Sequence, residues 1–215
     1  MEELRRLLDA AKVVDVRRSR TKEDLNRHCT PTPTNYASNN EWHLLILIGI
    51  YTGLRLGDCC RLDWSQINIA QGVIQVVPKK TRRHHQRMVT IPIHPALGRA
   101  LVGRDEDVAS TSGPVLPMIA EMYVRSRWRV NHELSRIFKA ANIDTSVRLE
   151  GRNRRTPEAT FHSLRHTFVS LAANAGVPLH VVQSIVGHES TAMTRHYYHE
   201  SVDALRSAVA AIPTL

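Results

Sequence analysis

The stretch FHSLRHTFVSLAANAG, residues 161–176, carries two kinds of side chain at helical spacing. Leu164, Phe168, Leu171, Ala172 and Ala175 fall at i, i+4, i+7, i+8 and i+11, an apolar stripe that predicts a helix. Gly176 is placed to stop that helix, and Pro178 to open a second one ended by Gly187. On the face opposite the stripe, His162, Arg165 and His166 stand at i, i+3 and i+4, which concentrates polar groups together. His162 and His166 have the spacing of a zinc pair. The glutamate of an HExxH site is absent, however, and Arg165 would set a cation beside the metal, so no metal is expected.

Upstream, residues 42–54 read WHLLILIGIYTGL, apolar nearly all round, with Asn39 and Asn40 as cap candidates. A helix of that composition belongs at the centre of a core. At about thirteen residues it is shorter than the roughly twenty needed to span a membrane. Two β-like runs follow, GVIQVVP at 72–78 and RMVTIPI at 87–93, separated by KKTRRHHQ, which predicts an antiparallel hairpin with a basic tip. Pro95 starts a helix through Leu101, and residues 103–117 form a loop. One long helix is expected from Met118 to Ala141, with Val130, Leu134, Ile137, Phe138 and Ala141 facing inward. Residues 144–160, rich in arginine, look like an exposed basic loop. Beyond residue 187 a third helix holds Tyr197, and Ser201 caps a terminal helix with Val202, Leu205, Val209 and Ile212 on one face. The fold class is therefore mainly α with a small antiparallel β-sheet.

The chain has 215 residues, with 29 Lys and Arg against 20 Asp and Glu. A formal charge of +9 points to a polyanionic partner, either nucleic acid or an anionic surface. Cys29, Cys59 and Cys60 give an odd count without CxxC spacing, which argues against a disulfide framework and fits a reducing cytoplasm. The amino terminus has no apolar signal core, so a cytoplasmic location is expected.

Five features occur in a fixed order: TGLRLGD around Arg55, the lysine-tipped hairpin, HSLRH at 162–166, VGH at 186–188, and a tyrosine nine residues after His188. In that order they resemble the motifs of the tyrosine recombinases and phage-type integrases, over about residues 40–212. The resemblance implies a division into a linker or residual amino-terminal segment at 1–39, a catalytic domain at 40–200 and a helix at 201–215 exchanged between subunits. It also implies that an amino-terminal helical domain, which completes the clamp around DNA in such proteins, is missing from this chain, a loss expected to weaken activity.

The chemistry can be stated without the resemblance. Breaking a DNA phosphodiester without a metal needs a nucleophile, cations for the nonbridging oxygens and a proton for the departing oxygen. Arg55 and Arg165 suit the second need, because a planar guanidinium grips two phosphate oxygens where lysine cannot. By resemblance, Tyr197 is the nucleophile and leaves a covalent 3′-phosphotyrosine, His162 is the base, and His188 completes the phosphate pocket. Tyr198 is the rival, but on a helix adjacent side chains point about 100° apart. The family's hairpin lysine, which protonates the leaving oxygen, is best matched by Lys80, with Lys79 beside it. Asp58 matches an orienting carboxylate. Lys79, Arg82, Arg83, Arg87, Arg152, Arg154 and Arg155 are candidates for backbone phosphate contacts. The implied activity is site-specific DNA cleavage and rejoining without metal, ATP or other cofactor. The implied partners are double-stranded DNA and three further copies of the chain on DNA. A type IB topoisomerase or a noncatalytic DNA-binding module are the alternatives.

Overall fold

The structure is a computed structural model that describes residues 1–13, 39–78, 88–105, 112–147 and 156–186. Its helices are α1 (Glu2–Val13), α2 (Asn39–Thr52), α3 (Leu56–Cys59), α4 (Pro95–Asp105), α5 (Pro117–Arg125), α6 (Arg127–Ala140), α7 (Phe161–Asn174) and α8 (Leu179–Val186). Three strands, β1 (Ile67–Asn68), β2 (Val73–Val76) and β3 (Val89–Pro92), make an antiparallel sheet in that order, and β4 (Ser146–Val147) pairs with β5 (Thr156–Pro157). The class is mainly α with a small antiparallel sheet, as the patterning predicts.

Helix α2 is the hub. Trp42, Leu45, Ile46 and Ile48 are fully buried, and α1, α4, α5 and α7 all pack on it. Burial on every side explains why its sequence has no polar face. Gly49 lets α7 approach closely, since a Cβ there would stand 2.7 Å from the Phe161 ring and 3.0 Å from Leu164. The buried Glu41 carboxylate accepts from the backbone N–H of Ile119 at 2.9 Å and of Met118 at 3.3 Å, so α2 caps the start of α5.

Helix α1 buries Leu7, Ala10 and Ala11 against α2 and α6, and Asn39 donates to the Lys12 carbonyl at 2.6 Å. Residues 2–13 thus share the main core; the expected division sets them in the linker or residual amino-terminal segment at 1–39. Residues 14–38 of that segment, and the whole 201–215 helix, lie outside the described residues.

The expected antiparallel hairpin forms, Ile74 opposite Ile91 and Val76 opposite Val89, with all four buried and Gln75 and Thr90 exposed. Its tip, residues 79–87, lies outside the described residues. The root of β3 packs against α8.

Three expectations about the middle of the chain are corrected. The single helix from Met118 to Ala141 is two helices, broken at Ser126. Ser126 is extended (φ −157°) and accepts from the Arg129 N–H at 3.4 Å, so its hydroxyl caps α6 instead of riding inside a continuous helix. The inward face of Val130, Leu134, Ile137, Phe138 and Ala141 is as expected, and all five are buried. The loop at 144–160 is closed at its base by β4 and β5. Helix α4 continues to Asp105, four residues past the expected end.

Candidate active site

Helix α2 ends where the first arginine motif begins. Thr52 donates to the Ile48 carbonyl at 2.6 Å and its oxygen accepts from the Leu54 N–H at 3.2 Å. Between them Gly53 turns the chain with φ +61°, a left-handed conformation that favours glycine. Arg55 then stands half-buried at the cap of α3, and Asp58 follows one turn later, its N–H donating to the Arg55 carbonyl at 2.8 Å.

The second motif opens α7. Thr160 and Ser163 form a reciprocal capping box, with the Thr160 N–H donating to the Ser163 hydroxyl at 3.0 Å. The helix ends as expected at Gly176 (φ +74°), where the Val177 N–H donates to the Ala172 carbonyl and the Gly176 N–H to Ala173, a Schellman closure. The face assignment within α7 needs correction. His162 and His166 are exposed, but Arg165 is only 2% exposed and sits on the inward side with Phe161, Leu164 and Val169. Leu171 and Ala175, expected in the stripe, are exposed.

Arg165 goes inward because it has carbonyls to meet there. One terminal nitrogen donates to the Gly53 carbonyl at 2.6 Å and the other to the Val186 carbonyl at 2.5 Å, groups 112 and 21 residues away in sequence. Burial, helped by the positive charge of Arg55, lowers its pKa from 12.5 to about 10, while Asp58 and Cys59 act the other way. The guanidinium remains protonated at neutral pH. That shift corresponds to about 3 kcal/mol against the buried cation. Charge-assisted bonds of about 1.5–3 kcal/mol each offset it. The same effect places Arg55, Asp58 and Arg165 in one electrostatic neighbourhood.

The His162 and His166 rings meet edge to face, centroids 4.7 Å apart. Burial, then the charge of Arg165, holds His166 below its ordinary pKa of 6.5. Cys59 and Cys60 are fully buried, and burial raises both thiols, Cys60 to about 12, so neither is a nucleophile at neutral pH.

Of the candidate residues, the structure brings together Arg55, Asp58 and Arg165, with His162 one turn before Arg165 on the same helix. Lys79, Lys80, Arg82, Arg83, Arg87, Arg152, Arg154, Arg155, His188, Tyr197 and Tyr198 lie outside the described residues. Gly53 and Val186 were not among the candidates. The one local signal was a glycine after a long apolar helix. Val186 opens the VGH motif, but its contribution is a backbone carbonyl, which no residue type signals.

This arrangement is that of a recognisable class of protein. The profile of the phage integrase family matches residues 19–203, and the chain belongs to that family. Among its relatives, it is 31% identical over 182 residues to the tyrosine recombinase XerC of Corynebacterium glutamicum, covering 81% of this chain and 53% of that protein. It is 26% identical over 166 residues to the integrase of Salmonella phage P22, covering 72% of this chain and 38% of the relative. The match thus spans about half, or less, of these relatives' lengths. In fold it resembles the catalytic domain of bacteriophage HP1 integrase, with TM-score 0.61, 21% identity and coverage of 98% of this chain and 92% of that one. The XerA recombinase structure matches with TM-score 0.59 and 19% identity over 100% of this chain and 63% of that chain. A structure of the Tn1549 transposon integrase in complex with transposon right end DNA matches with TM-score 0.56 and 21% identity, covering 80% of this chain and 58% of that one. Among the described residues no helix is long and apolar enough to cross a membrane.

Proposed function

We propose that this chain is the strand-exchange domain of a site-specific DNA recombinase. Tyr197 attacks the scissile phosphorus, its phenolic oxygen forming the new P–O bond as the 5′ oxygen of the next nucleotide leaves, and a 3′-phosphotyrosine results. Lys80 supplies the leaving oxygen's proton and His162 receives that of the phenol. Arg55 and Arg165, with His188, balance charge on the nonbridging oxygens. The reverse attack by another 5′-hydroxyl reseals the strand, so no metal or ATP is consumed. Double-stranded DNA is the partner, the assembly on it is a homotetramer, the 201–215 helix docks on a neighbouring subunit, and the setting is the cytoplasm.

The observation that carries this reading is that the buried Arg165 guanidinium bonds to the Gly53 carbonyl, two residues before Arg55 and more than a hundred residues away in sequence. A surface arginine pair would have no reason to accept burial. The charge of +9 supports a phosphate-rich partner.

The test uses nicked duplexes randomised over the core of the site, incubated with the full chain and separated by denaturing electrophoresis. Wild type and Tyr198→Phe form a covalent adduct, and Tyr197→Phe forms none. Adduct from Tyr197→Phe, or none from wild type across the pool, overturns the reading.

A further inference from the structure

The position of the Arg165 guanidinium has a consequence beyond charge balance. It lies where three segments cross: the loop after α2, the second turn of α7 and the end of α8. The crossing has no slack. A Cβ on Gly53 would stand 2.8 Å from the Phe168 ring and 3.1 Å from the Val186 side chain. Thr52 holds the loop from behind through its bonds to Ile48 and Leu54. Two residues after the Gly53 carbonyl comes Arg55; two after the Val186 carbonyl comes His188. Helix α8 in turn packs on β3, the second strand of the hairpin.

We infer that Arg165 is a positioning residue that assembles the site before DNA arrives: one guanidinium, bridging the Gly53 and Val186 carbonyls, sets the Arg55 loop against the segment leading to His188. The consequence for catalysis rests on the recombinase reading, but the tie itself does not. Lysine keeps the charge yet presents one compact head where the bridge needs a planar fork with two separated donors. It therefore serves one carbonyl and releases the other.

The tie is tested by amide hydrogen exchange on the full chain without DNA, which separates it from the recombinase reading. In Arg165→Lys, protection falls about tenfold or more at residues 53–59 and 182–186, while the centre of α2 is unchanged. Unchanged protection in both segments, with adduct formation lost, means that Arg165 acts only on phosphate and overturns the inference. If Arg165→Lys loosens α2 as well, Thr52→Val decides, because it frees the Gly53 loop from its bonds to Ile48 and Leu54 while adding no bulk beside Val186 and leaving both arginines in place. Loosening at 182–186 as well as 53–59 supports the tie, and loosening confined to 53–59 refutes it. For the positioning role, Thr52→Val lowers the adduct rate on saturating nicked duplex about tenfold or more with DNA affinity unchanged. An undiminished rate overturns it. Absence of adduct from wild type sinks the recombinase reading and leaves the exchange result standing.

Discussion

The first turn of α7 and the residue that follows it bear on α2 and the loop after it by opposite means. Phe161 and Leu164 bear on Gly49 through apolar contact alone, and the gain there is burial. Arg165, adjacent in sequence and equally buried, meets backbone carbonyls and carries a cation that burial disfavours. The first region holds the fold whatever it binds. The second gives up stability to keep a charge and two distant segments in register, as expected where a structure serves chemistry. Stability and activity should therefore separate between residues one position apart.

Leu164→Ala breaks the apolar side and has the largest expected effect on folding. Leu164 is 2% exposed, and its truncation destabilises by about 3–4 kcal/mol, read as a lower urea midpoint. Adduct formation per folded molecule stays within a fewfold of wild type. Arg165→Lys does the reverse: the adduct rate on nicked duplex falls about a hundredfold, near 2.7 kcal/mol, with a smaller shift in the urea midpoint than Leu164→Ala. Equal losses of stability in the two variants would erase the distinction. Glu41→Gln weakens the cap on α5, removing the charge from two bonds to backbone N–H groups. A loss of about 1–2 kcal/mol in urea unfolding is expected, with the adduct rate per folded molecule unchanged.

The smallest effect is on pH dependence. His43 is held below its ordinary pKa of 6.5 by burial and then by the charge of Lys12, and His166 by burial and then Arg165. For both, the unfolded chain takes up protons more readily than the folded one. Stability is therefore full above about 6.5, falls as the pH drops below that value, and levels off once the lowered folded pKa values are passed. His43→Gln flattens part of that fall in urea midpoints measured across the window.

What the sequence made legible was local or ordered along the chain. The Gly176 closure is built within six residues, and the antiparallel hairpin follows from two short β-like runs on either side of a polar, basic stretch. The break at Ser126 was not legible, because serine suits a helix interior poorly but does not forbid it, and only the cap on Arg129 decides. Nor was the burial of Arg165. A helical wheel sets it about 100° from Leu164, at the margin of the stripe, where either face is open to it. Its partners are carbonyls at Gly53 and Val186, which have no side-chain signature in sequence. The order of motifs nonetheless singled out Arg55 and Arg165, because their residue types answer a chemical need that no local pattern expresses.

The central claim is that Arg55 and Arg165 serve one phosphate as a unit, and a double-mutant cycle on the adduct rate tests it most directly. With Arg55→Lys, Arg165→Lys and the double variant on saturating nicked duplex, the account predicts that the double variant is little slower than the slower single one. Losses that multiply, each arginine costing the same whether or not the other is present, would contradict it.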